Sequence, residues 1–520
     1  MSQCVGSGLA GLATATGQES EDGPLSVPAQ AMLLVDRIAG DPAMERRAHL
    51  MGIPDMPMIG VLLHTVQSTI HHTARSRSSA HMSQERQVRR AMSMRASTHT
   101  LPGLVLVDHL FTVPLDYDHP DGEATTVFAR EVRAAEKRDA DLPWLVFFQG
   151  GPGGKSPRPL ERSGWLKVAT EHYRVLLLDQ RGTGRSTPVS AGTVTQRGGP
   201  TDQAAYLMHF RADAIVRDAE LIRHDLAGDE PWTALGQSFG GFCVTTYLSF
   251  APAGLREAII TGGLPPLFAS PDDIYQATYR RVGTANQQYF ARYPEDEQTV
   301  RRIVEHLGTQ TVQLPDGSLL TPERFLQLGI AFGMSDGFAR IHYLLDEAFD
   351  SSGELLSDTF LFDAYSDLSF AGRPLYAILH EPCYCQNGSS RWAAQRVRGE
   401  LPEFDAATAG TPRFTGEMIY PWMFDLDPTL RPLQEAARIL AEYEDWPPLY
   451  DVERLRGVSV PVAAAVYYDD MYVERVFSEE TAAAIPSCRI WLTNQYQHDA
   501  LRADGETLFG RLHDMLRGNA

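Results

Sequence analysis

The chain has 520 residues, 43% hydrophobic and 22% charged, with 43 Gly and 33 Pro, which excludes collagen-like, coiled-coil and wholly disordered classes. At roughly 100–200 residues per domain, this length predicts two or three lobes. A formal net charge of −20 argues against a protein that coats nucleic acid, whereas an acidic surface suits cationic small molecules.

Lysine occurs only at Lys137, Lys155 and Lys167, so nearly all positive charge is arginine. Five cysteines in so long a chain make no disulfide framework, and Cys383 with Cys385 lacks the second pair that a zinc site needs, so no metal is expected. No apolar run reaches the ~18–20 residues of a membrane-spanning helix. Met1–Gly11 also lacks the basic start and apolar core of a secretory leader. A cytoplasmic chain with reduced thiols, and with neither membrane nor nucleic acid as partner, is the expectation.

Residues 1–100 are rich in Ser, Ala, Met, His and Arg, with a basic patch from Arg75 through Arg77, Arg86, Arg89 and Arg90 to Arg95. No sustained period appears outside Met58–Thr65, so the segment reads as a poorly ordered extension, or as sequence upstream of a later native start. An arginine-rich targeting segment or a nucleic-acid arm is the alternative. From Leu101 the texture changes. Val105–Val113 and Thr125–Val132 read as strands around the turn-rich YDHPDG. Leu142–Phe148 and Tyr173–Leu178 are continuous apolar runs ending in loop sequence, the pattern of parallel strands covered on both faces. Ala214–Leu226 predicts an amphipathic helix, with Ile215, Ala219, Ile222 and Leu226 opposite Arg217, Glu220 and His224. Pro231–Leu235 is a short strand and Phe239–Phe250 an apolar helix.

These elements make residues 101–265 the first part of an α/β core. Residues 266–455 are mostly helical in pattern, with interleaved aromatics and acids and many Pro and Gly breaks, and read as a helical cap. The α/β pattern resumes over 456–520, with strands at Pro461–Tyr467 and Arg489–Leu492 and a closing helix over Ala500–Leu516. A helical insertion in a mostly parallel sheet can roof a site at the carboxyl ends of the strands.

The strongest chemical signal is Gly236-Gln237-Ser238-Phe239-Gly240-Gly241, set between a strand and a helix. G-x-S-x-G needs small neighbours because the chain turns sharply, holding a nucleophilic Ser238 off the backbone while the Phe239 N–H faces a developing oxyanion. Gln149-Gly150-Gly151-Pro152-Gly153-Gly154 follows another strand. It misses the P-loop spacing, and Pro152 lacks an N–H for phosphate. It fits better as the loop donating the second oxyanion hydrogen bond, from Gly151. A serine nucleophile needs a base, and an α/β hydrolase supplies acid and histidine later in the chain. His498 stands after the last predicted strand; His71, His72 and His380 lack such a setting. Asp469 and Asp470 both follow the strand before it, and Asp470 is favoured as the acid.

The run FFQGGPGG, then LLLDQRGTGRS, then LGQSFGG, then a late Asp and His, resembles the prolyl aminopeptidases (proline iminopeptidases) of the α/β-hydrolase superfamily over Leu101 to Leu516. One departure is Gln149 where that family usually has His, which bears on the rigidity of the loop. The resemblance implies an α/β-hydrolase fold, with a mostly parallel sheet and the cap inserted before the last strands. It also implies release of an N-terminal residue, usually Pro, from a small peptide by a Ser-His-Asp triad through an acyl-enzyme, with no cofactor. An exopeptidase must recognise a free ammonium, for which buried carboxylates are suited. The insertion offers Glu381 and Glu417, which look like the family's amine-binding positions, and Tyr384, Trp392, Tyr420, Trp422 and Phe424 as walls of an apolar slot. An esterase or a broader aminopeptidase with the same machinery is the alternative.

Overall fold

The computed structural model describes residues 93–407 and 410–519. The Met58–Thr65 period, and all of the arginine patch except Arg95, lie outside the described residues. The boundary expected at residue 100 moves forward, because Ser93–Leu101 form a strand, β1, antiparallel to β2 (Leu104–Pro114). β1 is the outermost strand and is exposed from Ser97 to Thr100, where the sequence STHT accordingly carries no apolar alternation.

The chain continues through β3 (Ala124–Ala134), β4 (Trp144–Phe148), α1 (Gly164–His172), β5 (Arg174–Asp179) and α2 (Ala212–Ala227). Then follow β6 (Trp232–Gln237), α3 (Phe239–Phe250) and β7 (Leu255–Thr261). Strand β7 was not legible, because Arg256 and Glu257 interrupt its apolar run only a few residues after α3. Next come α4 (Pro271–Arg292), α5 (Pro374–Leu379) and α6 (Ala393–Gly399), with further helices and turns between them. The sheet resumes with β8 (Val462–Tyr467), α7 (Arg475–Ala484) and β9 (Cys488–Thr493), and the chain closes on α8 (Gly505–Arg517). The expected closing helix is therefore split, with a separate turn at Ala500–Ala503 before α8.

The nine strands lie in the order β1-β2-β3-β5-β4-β6-β7-β8-β9. β5, β4, β6, β7, β8 and β9 are parallel, and the first three strands add an antiparallel edge. Successive residues of the central strands bury on opposite faces. Val146, Phe148, Leu176, Ala234, Ile260 and Ala464 meet α2 and α3 through Ile215, Ile222, Phe242 and Val244. Leu145, Phe147, Leu177, Leu235, Ile259 and Ala463 meet α1 and α8 through Trp165, Leu166, Phe509 and Leu512. This double burial is why the strands read as unbroken apolar runs. Between β7 and β8, the described residues of 262–461 supply no strand to the sheet. Their interior is aromatic, with Tyr289 stacked on Phe332 at 4.6 Å and Phe332 edge-on to Phe414 at 5.2 Å. No helix among the described residues is long and apolar enough to cross a membrane.

Candidate active site

β6 ends at Gln237 and α3 begins at Phe239, which leaves Ser238 alone on the turn with φ +83° and ψ −120°. A non-glycine residue rarely adopts that conformation, and surrounding bonds must hold it. Ser238 N–H donates to Thr261 O at 3.1 Å, and Gly241 N–H donates to Ser238 O at 2.7 Å. The elbow also needs its glycines: a Cβ at Gly240 would lie 2.0 Å from Phe148 O.

Asp470 and His498 stand beyond the carboxyl ends of β8 and β9, on the same sheet edge as Ser238. His498 Nδ1 is 2.7 Å from Asp470 Oδ2, and Nε2 is 2.8 Å from Ser238 Oγ. A carboxylate only accepts, so Nδ1 carries the proton and Nε2 presents its lone pair to the serine hydroxyl. Asp470 Oδ1 accepts from the amides of Tyr472 and Val473 at 2.9 and 3.1 Å, which fixes the carboxylate plane. Burial works to lower the His498 pKa. The Asp470 charge and hydrogen bond, aided by Glu417 and Asp499, outweigh it, so the imidazole lies above its ordinary range. Asp469 points elsewhere, its half-exposed carboxylate 3.6 Å from Arg281.

The glycine-rich loop crosses in front of this elbow. A Cβ at Gly150 would come within 2.9 Å of Ser238 Cβ, which measures how close the loop lies. Among the described residues, neither Gly151 N–H nor Phe239 N–H donates to a backbone carbonyl. Both ends of the loop are fastened by the exit of β5, a role that sequence reasoning missed. Gln180 Nε2 donates to Gln149 O at 3.0 Å. Buried Asp179 accepts from Ser156 N–H at 3.0 Å and from Arg158 Nη1 at 2.9 Å. Gln149 is thus held by its backbone carbonyl, whatever its side chain. Next to them, Arg181 is fully buried. Its donors go to Asp218, to the carbonyls of Leu115 and His209 at 2.8 Å, and to that of Pro114 at 3.0 Å. Charged residues following an apolar strand directly were the available signal.

The inserted segment supplies the remaining wall. A Cβ at Gly153 would lie 2.8 Å from Leu375 Cβ, so α5 sits directly on the glycine-rich loop. On α5, Tyr376 OH donates to Glu417 Oε1 at 2.5 Å. His380, without a setting in the sequence, lies four residues on and directs Nε2 to Glu417 O at 3.2 Å. Glu417 is half-buried, and its charge acts on His498, Tyr472 and Tyr376 together. Glu381 is deeper. Its carboxylate accepts from Ala393 and Ala394 N–H at 3.1 and 2.9 Å, at the start of α6. Burial dominates there and pushes its pKa up to about 7. Both carboxylates act on the buried Tyr275 phenol, whose hydroxyl has no hydrogen-bond partner among the described residues. Of the five aromatics expected to wall a slot, Tyr384 packs on Phe242 of α3 at 5.8 Å. The other four pack on one another inside the insertion, Trp392 on Phe424 at 5.6 Å and Tyr420 on Trp422 at 5.2 Å. Tyr420 and Phe424 are fully buried there and belong to its core.

The sheet order, the serine elbow and the late Asp and His define an α/β hydrolase, and a family profile described as alpha/beta hydrolase fold matches residues 143–327. Proline iminopeptidase of Aeromonas sobria is 49% identical over 415 residues, covering 80% of this chain and 97% of that protein. Proline iminopeptidase aneH of Aspergillus aculeatus is 36% identical over 401 residues, covering 75% and 89%. The crystal structure of proline iminopeptidase from Mycobacterium smegmatis aligns at 13% identity with a TM-score of 0.39, over 78% of this chain and 97% of that one. The chain belongs to the proline iminopeptidase family.

Proposed function

We propose that the protein is a serine aminopeptidase releasing an N-terminal residue, preferentially proline, from peptides. The observation that carries this reading is the hydrogen-bonded line Asp470–His498–Ser238, with spacings of 2.7 and 2.8 Å, in a chain 49% identical to a proline iminopeptidase. Ser238 Oγ attacks the first peptide carbonyl as its proton passes to His498 Nε2. Asp470 balances the imidazolium, and the N–H groups of Gly151 and Phe239 stabilise the oxyanion. The imidazolium then protonates the leaving amine, and water, deprotonated by the same nitrogen, hydrolyses the acyl-enzyme. No step draws on a cofactor or metal.

Residues 266–455 act as a cap over this chemistry. Glu417 is the nearer anchor for the substrate ammonium, because its charge already reaches His498. Glu381 lies deeper, its carboxyl only about half ionised near neutral pH, and acts with Glu417 on the Tyr275 hydroxyl. The Cys383 and Cys385 thiols donate to the carbonyls of His380 and Glu381, which supports a reducing, cytoplasmic setting.

Turnover of proline arylamide, alanine arylamide, N-blocked proline arylamide and a short acyl ester tests the reading. The free proline substrate should lead and the blocked one should be nearly inert, with all activity lost in Ser238→Ala. Equal turnover of blocked and free substrates would reassign the protein as an esterase-type hydrolase and remove the amine-binding role of Glu381 and Glu417.

A further inference from the structure

The loops that carry Asp470 and His498 are gripped by the insertion as well as by the sheet. One short stretch, Ile330–Asp336, touches both. Gly333 O accepts from the backbone N–H of His498 itself at 3.0 Å. Ser335 donates twice to Oδ1 of Asp499, the next residue, from its N–H at 2.9 Å and its Oγ at 2.6 Å. The other Asp499 oxygen accepts from Arg502, so this carboxylate, only 5% exposed, is held on both sides. Ile330 O accepts from Tyr472 OH, two residues beyond Asp470. The Tyr472 ring stands edge-on to the His498 imidazole, with centroids 4.8 Å apart and planes at 67°. A Cβ on Gly333 would lie 2.3 Å from that ring, so the stretch approaches as closely as backbone allows. From α4, Arg281 makes a two-pronged pair with Glu474 at 2.7 and 2.8 Å and reaches Asp469 at 3.6 Å, bracketing Asp470 in the sequence.

A sheet edge fixes where β8 and β9 end, but His498 comes five residues after Thr493, too far for strand pairing to orient its ring. The main-chain donor of His498, the aromatic edge beside its imidazole and the carboxylate after it are all tied to the same stretch of the insertion. We propose that Ile330–Asp336 is a clamp that positions the imidazole of His498, with Ser335 as the positioning residue. The cap would then set the reactive geometry of the triad as well as enclose the substrate. This rests on the reading of Ser238, His498 and Asp470 as the catalytic relay.

Ser335 lies at the surface, so Ser335→Ala removes one hydrogen bond to Asp499 without opening the core, and Ser335→Thr keeps a hydroxyl there. The rate constant for labelling by a simple alkyl fluorophosphonate reads the triad without using the amine site. It should fall about 3- to 10-fold in Ser335→Ala, as expected for a displaced base, and return in Ser335→Thr. On proline arylamide, kcat should fall in parallel while KM stays within about twofold. Unchanged labelling with intact Tm would overturn the clamp, and so would a drop in Tm without a drop in labelling. Labelling that persists in Ser238→Ala would overturn the relay instead, so the two failures are distinguishable.

Discussion

Replacing Asp470 by Asn separates the two adjacent candidate acids and tests the relay directly. Oδ1 of Asp470 accepts two backbone N–H bonds, at 2.9 and 3.1 Å, so in Asp470→Asn the amide oxygen must stay there. Its NH2 group is then turned towards His498 Nδ1, where the carboxylate oxygen now lies at 2.7 Å. An NH2 group can only donate, so Nδ1 must give up its proton and the imidazole carries it on Nε2 instead. That tautomer points an N–H at Ser238 Oγ and has no lone pair to receive the serine proton. The wrong tautomer in a Ser-His-Asp relay costs about 10⁴ in kcat, on the order of 5 kcal/mol of barrier. Asp469→Asn touches only a half-exposed carboxylate 3.6 Å from Arg281 and should leave kcat within about threefold. The assay is initial-rate release of arylamine from proline arylamide at saturation, with circular dichroism to confirm folding. The opposite ranking, a collapse in Asp469→Asn with Asp470→Asn near wild type, would refute the derivation.

Two further outcomes follow from the charges. Glu417→Gln removes an anion that raises the His498 pKa, so the acid limb of the kcat/KM profile should move to lower pH. In the same variant, KM for free proline arylamide should rise while that for an amine-free ester stays put. Glu131 is buried, which by itself would raise its pKa, but bonds from His109, Arg133 and Arg174 bring it from 4.5 down to about 2. A depressed carboxylate stabilises the fold above its unfolded pKa, so about 3 kcal/mol is present at neutral pH and drains away as pH falls from 4.5 towards 2. Urea unfolding should show wild type losing about 2 kcal/mol relative to Glu131→Gln between pH 6 and pH 3; parallel curves would contradict it.

The sheet was legible where burial on both faces leaves no alternative reading, as at Leu145–Phe148 and Leu176–Leu178. The elbow was legible because a turn this sharp restricts its neighbours to glycine, and chain order then pointed to His498. The first strand was not, since an edge strand such as Ser93–Leu101 can be polar on both sides. The roles of Tyr376 and His380 were not legible for a different reason. Their spacing of four says that they share a face of α5, but not that the face meets Glu417, which arrives from 37 residues beyond His380. Gln180 and Asp179 were read as part of a resemblance only. Their work on the glycine-rich loop depends on β4 and β5 being neighbours, a pairing that local pattern does not contain.

The placement of Glu417 lets a charge from the insertion act on His498. The triad base must be neutral to act, yet Asp470, Glu417 and Asp499 all hold His498 towards its protonated form. In the proposed mechanism Asp470 balances the imidazolium in the transition state, and Asp499 is compensated by Arg502. With the amine-binding role proposed for it, Glu417 is the one whose charge a substrate cancels. An ammonium bound to it neutralises the anion and lets the imidazole pKa fall, so occupied enzyme holds more of its base in the reactive form than empty enzyme does. The same pH profiles measured for Glu417→Gln carry this signature. In wild type the acid limb of kcat should lie below that of kcat/KM, and with glutamine at 417 the two limbs should draw together; limbs that coincide in wild type would contradict it.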